Sequence, residues 1–296
     1  MRLGFGASGP WGSSWFSEKK AAALIATALD VGIRHFDTAG FYAGGLAEER
    51  LGRTLRDALA HAGLRQEDVT ISTKIGKRID GQNRTVRDFS SSAIEDSLAL
   101  SRRRLGTDTL DIVYMHGPNK HELSSSIPLL LDQKSQGRIK AIGVCSDGLP
   151  LRDAALTDGV DVIMGRYNVL STEHEDIFSA ARQGNKSITA IAPLAQGLWQ
   201  KSLFFPRTLQ DVWYLARAIL RNRDDLRESR DAKWLSDLEG WSPVDLAFAF
   251  VRLNSAIDTV VTTTTRPHHL RQSAQAFARA IPPEVEAYLR ERVPTD

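Results

Sequence analysis

The chain has 296 residues, 42% of them apolar and 25% charged, with a formal net charge of +2. This length is enough for a large core, and we expect one domain, residues 1–296, that does not bind nucleic acid or span a membrane, since the charge is small and no apolar run approaches the ~20 residues of a span. The single cysteine, Cys145, excludes an intramolecular disulfide and favours a reducing compartment, so we expect a cytoplasmic protein.

Short apolar, β-branched runs alternate along the chain with amphipathic stretches. The runs are nearly continuous, as is typical of strands covered on both faces. Ser17 and Ser242 stand where helices are expected to begin. The predicted strands are Leu3–Gly6, Ile33–Thr38, Val69–Lys74, Leu110–His116, Ile139–Ser146, Val160–Asn168, Ile188–Pro193 and Thr259–Thr264. The predicted helices are Glu18–Asp30, Ala47–His61, Ser91–Leu105, Ser126–Gln136, Leu151–Thr157, Thr172–Gln183 and Pro243–Leu253.

Eight strands separated by helices predict an α/β fold, a (β/α)8 TIM barrel, with a doubly wound parallel sheet as the alternative. A long charged segment, Trp199–Gly240, follows the seventh strand. A structureless loop of this length is uncommon in a compact domain. The apolar spacing between Val212 and Leu220 therefore predicts a helical insertion that forms one wall of the barrel mouth, or else a surface insertion without such a role.

Four chemically active side chains stand at the ends of three successive predicted strands. Asp37 and Tyr42 follow the second strand, Lys74 ends the third and His116 ends the fourth. A parallel barrel gathers these ends at one mouth. Each residue alone has a structural explanation, as a cap, a surface aromatic, a solvated lysine or a turn residue. Their combination in this order favours an active site.

The four groups together suit the reduction of a carbonyl. A hydride that reaches the carbon leaves negative charge on the oxygen, where a proton must be supplied. A phenol, whose pKa is ordinarily about 10, donates well only when a nearby positive charge stabilises its anion. We therefore assign Tyr42 as the acid, Lys74 as its electrostatic partner, Asp37 as the anchor of the ammonium and His116 as the group that orients the substrate oxygen.

The contexts of these residues resemble the aldo-keto reductase family. The matching segments are Phe36-Asp37-Thr38-Ala39 with Tyr42, Gly45-Leu46-Ala47-Glu48, Ser72-Thr73-Lys74, Asp111–Pro118, Gly143-Val144-Cys145-Ser146 and Pro193-Leu194-Ala195-Gln196-Gly197. The resemblance runs almost from end to end. It implies an NAD(P)-dependent oxidoreductase that transfers a hydride between the nicotinamide and an aldehyde, ketone, alcohol or sugar.

The resemblance also implies which residues hold NADP or NAD. Thr262–Arg266 come just before a helix that begins at Pro267. Free amides and hydroxyls at a helix N-terminus suit a phosphate. The implied contacts are Gly6, Ala7, Ser8 and Asp37 near the nicotinamide ribose and pyrophosphate, Ser146 and Asp147 at the carboxamide, Leu194, Gln196 and Gly197 at the pyrophosphate, and Thr262–Arg266, including Thr263, Thr264, Thr265 and Arg266, with His269 and Gln272, at the adenosine end.

Several positions depart from the residues usual in the family. Asp147 replaces the usual asparagine, Met164 a glutamine and Ile191 an aromatic residue. The basic residues that many NADP-dependent members bring to the 2′-phosphate fall on Thr263 and His269. These departures leave the choice between NADP and NAD open, with an NAD-leaning preference as the hypothesis.

The segment Gly165-Arg166-Tyr167-Asn168 resembles a branch with aldose dehydrogenases, which favours sugar oxidation as the alternative direction. Trp11 and Trp15 would then join His116 at the substrate as an aromatic wall, unless they pack in the core or on the surface. A non-catalytic barrel that binds a dinucleotide in a regulatory role is a further alternative, against which the four intact residues argue. We expect a small-molecule carbonyl or alcohol substrate and a monomer or small homo-oligomer.

Two other enzyme classes fit the sequence less well. Gly4–Gly9 fits the G-x-G-x-x-G pattern of a Rossmann dehydrogenase, but Pro10 follows it instead of a helix. His35 and Asp37 suggest a metal hydrolase, yet the further histidines that such a site needs are missing at later strand ends, and we expect no metal. The run Arg102-Arg103-Arg104 is interpreted as a solvated helix face.

Overall fold

Eight parallel strands close into a barrel in this computed structural model, which describes residues 1–82, 84–195 and 231–293. This confirms the predicted TIM barrel. The eight predicted runs are the barrel strands, and the structure adds an antiparallel hairpin that the sequence analysis missed. The barrel strands are β1 (Arg2–Gly6), β2 (His35–Asp37), β3 (Thr70–Ile75), β6 (Leu110–His116), β7 (Ile139–Cys145), β8 (Val162–Arg166), β9 (Ser187–Ile191) and β10 (Thr259–Thr262), and the hairpin strands are β4 (Lys77–Ile79) and β5 (Thr85–Arg87).

Helices connect the strands and cover the barrel. All seven predicted helices are present, although the fourth begins at Lys120 and not at Ser126. Asn119 and Glu122 form a capping box there, and Pro128 lies inside the helix without ending it. The helices are α1 (Glu18–Asp30), α2 (Leu46–Ala62), α3 (Ser91–Leu105), α4 (Lys120–Ser135), α5 (Gly148–Leu156), α6 (Glu175–Gln183), α7 (Pro243–Leu253), α8 (Pro267–Ala278) and α9 (Pro283–Arg292).

The predicted insertion lies mostly outside the described residues. The helices expected between Val212 and Leu220 are among the residues that the structure does not describe. The last part of the insertion contains a short 3-10 helix, Asp231–Ser236, in which Leu235 is buried. The proposed wall of the mouth therefore stays a prediction.

Alternate residues along each strand face the barrel interior and the surrounding helices. On β2 and β3 the polar side chains of Asp37, Ser72 and Lys74 contact one another inside the barrel. Phe36 and Ile71, which directly precede Asp37 and Ser72 in sequence, are buried in the main hydrophobic core. The alternation therefore collects the polar groups of neighbouring strands on one side of the barrel wall.

At the amino ends of several strands, aspartate side chains bond the backbone of a neighbouring strand. Asp111 accepts a hydrogen bond from Ile71 N at 2.8 Å, and Asp161 accepts one from Ile142 N at 2.8 Å. These aspartate side chains fix the amino end of the barrel to backbone amides of neighbouring strands, which leaves the opposite end for chemistry. None of the described helices has the length and apolar character needed to cross a bilayer.

Candidate active site

A buried ion pair between Lys74 and Asp37 lies at the centre of the barrel mouth. Lys74 Nζ is 2.5 Å from Asp37 Oδ2 and also donates to the carbonyl of Thr38 at 2.8 Å. The side chains are 3% and 7% exposed. Burial disfavours the ammonium, but the negative charge of the Asp37 carboxylate and the hydrogen bond to it outweigh burial and raise the pKa of Lys74 above its ordinary value. Lys74 is therefore a fixed positive charge at any physiological pH.

The second oxygen of Asp37 is held by a chain that the sequence analysis missed. Ser72 Oγ donates to Asp37 Oδ1 at 2.7 Å, and His35 Nε2 lies 3.1 Å from Ser72 Oγ. Because the single hydroxyl hydrogen of Ser72 goes to Asp37, its oxygen accepts from the Nε2–H tautomer of His35. The only available signal was the spacing of two between Ser72 and Lys74, which puts both on one face of β3.

Tyr42 stands directly above this pair. It begins a short 3-10 turn, Tyr42–Gly45, between β2 and α2, and it is half-buried. The centroid of its ring is 5.6 Å from Lys74 Nζ. Phe41 packs edge-on against the Tyr42 ring at 4.8 Å and also contacts the ring of His116, 5.3 Å away. The structure thus brings together all four side chains that the sequence assigned to one site.

His116 is a neutral imidazole in this setting. Burial, helped by the positive charges of Lys74 and Lys77, lowers its pKa to about 3. Its Nδ1 atom is buried and has no hydrogen-bond partner among the described residues. A neutral ring donates through one nitrogen only, so His116 is able to offer a hydrogen bond to a ligand without adding charge.

Several of the predicted dinucleotide contacts that the structure describes lie at the carboxyl ends of β1 and β10. A Cβ on Gly6 would lie 2.5 Å from Thr263 Oγ1, so only glycine permits this close approach of β1 to the strand end after β10. Thr264 Oγ1 accepts from Arg266 N at 3.2 Å, just before α8 begins. Hydroxyls, a basic side chain and a helix N-terminus are a donor set that fits a phosphate-bearing dinucleotide.

Other described residues of the predicted set follow the ends of β1, β7, β9 and β10. Ala7 is buried and its amide donates to the carbonyl of Asp37, while the amide of Ser146 donates to the carbonyl of Met164. Ser8, Leu194, Thr265 and His269 are buried or half-buried, and Thr263 and Gln272 are exposed. Gln196 and Gly197 lie outside the described residues.

Asp147 and Met164 differ in their surroundings. The Asp147 side chain is 60% exposed, and its carboxylate lies 3.9 Å from Arg166 Nη2. Met164 is fully buried and packs with Tyr114 and Cys145 inside the barrel. An acidic group beside an arginine thus stands where the family brings a neutral amide.

The two tryptophans of the first loop have different environments. Trp11 is 1% exposed, packs edge-on against Phe5 and donates from Nε1 to the carbonyl of Ala47. Trp15 is 51% exposed. The burial of Trp11 favours a packing role over contact with a substrate, whereas Trp15 is accessible.

Replacing His35 with Gln should make the protein less sensitive to mild acid. Burial, opposed by Asp37, lowers the pKa of His35 from 6.5 to about 4. The unfolded ring binds a proton as the pH falls below 6.5 while the native ring does not, so stability is present above that pH and is lost toward pH 4. Urea unfolding between these pH values should show a smaller slope for His35→Gln. The exposed His61→Gln variant should keep the wild-type slope, and equal slopes for all three proteins would refute the prediction.

A parallel barrel with a phenol, a buried ammonium–carboxylate pair and a neutral imidazole at its mouth defines an oxidoreductase of carbonyl and alcohol substrates. The chain belongs to the aldo/keto reductase family, whose model matches residues 2–293. It is therefore an NAD(P)-dependent enzyme. This agrees with the family and the activity class expected from the sequence.

Individual relatives are similar over most of the chain. A D-threo-aldose 1-dehydrogenase from a Pseudomonas species is 30% identical, covering 93% of this chain and 88% of the relative. An L-galactose dehydrogenase from Arabidopsis thaliana is 32% identical over 66% of this chain and 62% of the relative. The holo form of an aldo-keto reductase from Bacillus halodurans has the same fold, with a TM-score of 0.81, 23% identity and coverage of 100% of this chain and 93% of that chain.

Proposed function

We propose that this protein is a sugar-oxidising dehydrogenase in which Tyr42 is the proton-transfer residue. The observation that carries the proposal is the buried Lys74–Asp37 pair, with Lys74 Nζ 5.6 Å from the Tyr42 ring centroid. No described part of the mouth outside this group combines a phenol with a buried ammonium. The same site serves the reduction of small aldehydes and ketones, because proton transfer is reversible.

In the oxidative direction Tyr42 acts as the base. Its phenolate oxygen takes the hydroxyl proton of the substrate while the carbon bearing that hydroxyl loses a hydride. The ammonium of Lys74 stabilises the phenolate before the transfer, and Asp37 holds the ammonium in place. In reduction the carbonyl carbon gains the hydride, its oxygen takes the phenolic proton, and Lys74 stabilises the phenolate that remains.

His116 orients the substrate in either direction. Because it is neutral, it donates a hydrogen bond to the substrate oxygen without competing with Tyr42 for the proton. Trp15, which is exposed, would contact the sugar ring from the first loop. Apolar sugar faces pack well on indole rings.

The dinucleotide accepts or supplies the hydride when it is bound. Gly6, Ala7 and Ser8 would hold it near the nicotinamide ribose, and Ser146 with Asp147 would meet the carboxamide. Leu194, Gln196 and Gly197 would line the pyrophosphate. The adenosine end would be held by Thr263, Thr264, Thr265, Arg266, His269 and Gln272.

NADH should bind at least as tightly as NADPH. Thr263 and His269 offer no fixed positive charge to a 2′-phosphate, and burial next to His268 and Arg266 lowers the pKa of His269, which keeps that ring neutral. Fluorescence quenching titrations with both nucleotides measure the two Kd values. A Kd for NADPH about 100-fold lower, equivalent to ~2.7 kcal/mol, would show that other basic groups hold the 2′-phosphate and would contradict the prediction.

Sugars are the proposed substrate class because two relatives are named for aldose and galactose oxidation. The proposal extends to the whole chain as one catalytic domain, which the match over residues 2–293 supports. A cytoplasmic location is supported by the free, buried Cys145, which suits a reducing compartment.

A panel tests the proposal in the presence of a chelator. D- and L-aldoses and small alcohols are each offered with NAD⁺ or NADP⁺, and small aldehydes with NADH or NADPH. We expect at least one aldose to give NAD(P)H. Its formation is measured by absorbance at constant pH. Cofactor binding without turnover of any aldose, alcohol or aldehyde would instead support a regulatory barrel. Turnover limited to small aldehydes would reject the sugar assignment and leave a carbonyl reductase.

A further inference from the structure

The loop that carries Tyr42 has an unusual backbone. Three consecutive residues, Ala43, Gly44 and Gly45, have φ values of 50°, 66° and 101°. This left-handed region is unfavourable for alanine, and such conformations persist only where the surroundings enforce them. The direction of the Tyr42 side chain therefore depends on whatever group holds this turn.

Arg104 on α3 holds the backbone on both sides of Tyr42. Its Nη1 donates to the carbonyl of Gly40 at 3.2 Å, and its Nη2 donates to the carbonyl of Gly44 at 3.2 Å. A Cβ on Gly45 would lie 2.0 Å from Arg104 Cζ, so the guanidinium occupies the space against the turn. The side chain is 17% exposed. The sequence interpretation of Arg102-Arg103-Arg104 as a solvated face is therefore wrong for Arg104.

A fully buried carboxylate fixes this guanidinium. Glu48 on α2 is 0% exposed and lies 3.2 Å from Arg104 Nη1. It also accepts hydrogen bonds from Thr73 Oγ1 and Ser101 Oγ, both at 2.6 Å. Thr73 precedes Lys74 on β3 but faces the helices, so one carboxylate links the arginine to the strand that carries the catalytic ammonium.

We propose that Arg104, neutralised by Glu48, is a positioning residue that sets the geometry between Tyr42 and Lys74. Its planar fork bonds two carbonyl groups, one on each side of Tyr42, which a lysine ammonium with its single nitrogen does not reproduce. Because Glu48 balances its charge, its effect on the reaction is geometric and not electrostatic. The inference rests on the proposed role of Tyr42 as proton donor.

Arg104→Ala in the full-length enzyme should lower kcat by about 10- to 100-fold while KM and the Kd for NADH stay near wild type. Arg103→Ala, in the adjacent exposed residue, is the matched control and should leave kcat unchanged. Millimolar guanidinium chloride should restore part of kcat to Arg104→Ala but not to Tyr42→Phe, with sodium chloride at the same concentration as the control. Arg104→Lys, which keeps the charge, should remain impaired.

The outcomes separate this inference from the proposed function. If Tyr42→Phe is inactive while Arg104→Ala has the kcat of Arg103→Ala, Arg104 does not position Tyr42. If Arg104→Ala does not fold, the kcat of Arg104→Lys tests the proposal instead. A lowered kcat in that variant supports the proposal, and a full kcat overturns it. A loss of kcat that guanidinium does not restore, together with a weaker Kd for NADH, assigns Arg104 a merely structural role. Full activity of Tyr42→Phe overturns the proposed function itself.

Discussion

Tyr42→Phe should lose about 10²- to 10⁴-fold in kcat, the range that a positioned acid or base contributes. The substitution removes one oxygen and leaves the ring, which packs against Phe41 at 4.8 Å. The proposed cofactor contacts do not include the Tyr42 hydroxyl, so the Kd for NADH should not change. Steady-state kinetics with the best substrate of the panel, together with fluorescence titration, measure both quantities.

Tyr288→Phe is the matched control for this substitution. It removes a hydroxyl that donates to the carbonyl of Trp234 at 2.6 Å, away from the barrel mouth. Its kcat should equal that of the wild type. If Tyr42→Phe retains more than about a tenth of the wild-type kcat, another group supplies the proton and the assignment of Tyr42 fails.

The barrel and the four site residues were predictable because each depends on local pattern. Continuous apolar runs marked the buried strands, and the polar residues that end them, such as Lys74 and His116, fall at one mouth as soon as the strands are parallel. The hairpin of β4 and β5 was missed because Lys77–Ile79 and Thr85–Arg87 are short and charged. The start of α4 was placed too late, at Ser126, although Asn119 and Glu122 already form a capping box before Lys120.

The supporting residues could not be predicted because their role depends on how separate elements pack. Ser72 donates its hydrogen bond to Asp37 only when β2 and β3 pair in this register. Arg104 and Glu48 follow charge patterns ordinary for exposed helix faces. They are buried because α2 approaches α3 closely at Gly52, where a Cβ would lie 2.5 Å from the carbonyl oxygen of Arg104.

Lys74→Met should abolish measurable activity and also destabilise the fold. Without its ammonium the phenolate of Tyr42 has no adjacent positive charge, so activity should fall at least as far as in Tyr42→Phe. The carboxylate of Asp37 would stay buried without its ion-pair partner, which costs about 3–5 kcal/mol of unfolding free energy. Denaturant unfolding measures this loss.

Lys134→Met provides the matched control for the loss of stability. Lys134 also pairs with a carboxylate, that of Asp161, but these side chains are 35% and 36% exposed. A pair exposed to this extent contributes only about 0–1 kcal/mol, so the control should unfold almost like the wild type and keep full activity. An equal loss of stability in the two variants would show that Lys74 and Asp37 are not a buried charged pair in solution.

The double variant Asp37→Asn/Lys74→Met separates stability from catalysis. Because both charges are removed, most of the unfolding free energy lost in Lys74→Met should return, as expected when a buried ion pair is replaced by neutral groups. Activity should not return, since the phenol still lacks its cationic neighbour. Recovery of turnover in the double variant would mean that Lys74 acts only through the fold, and the proton-transfer role derived for Tyr42 would then lack its electrostatic support.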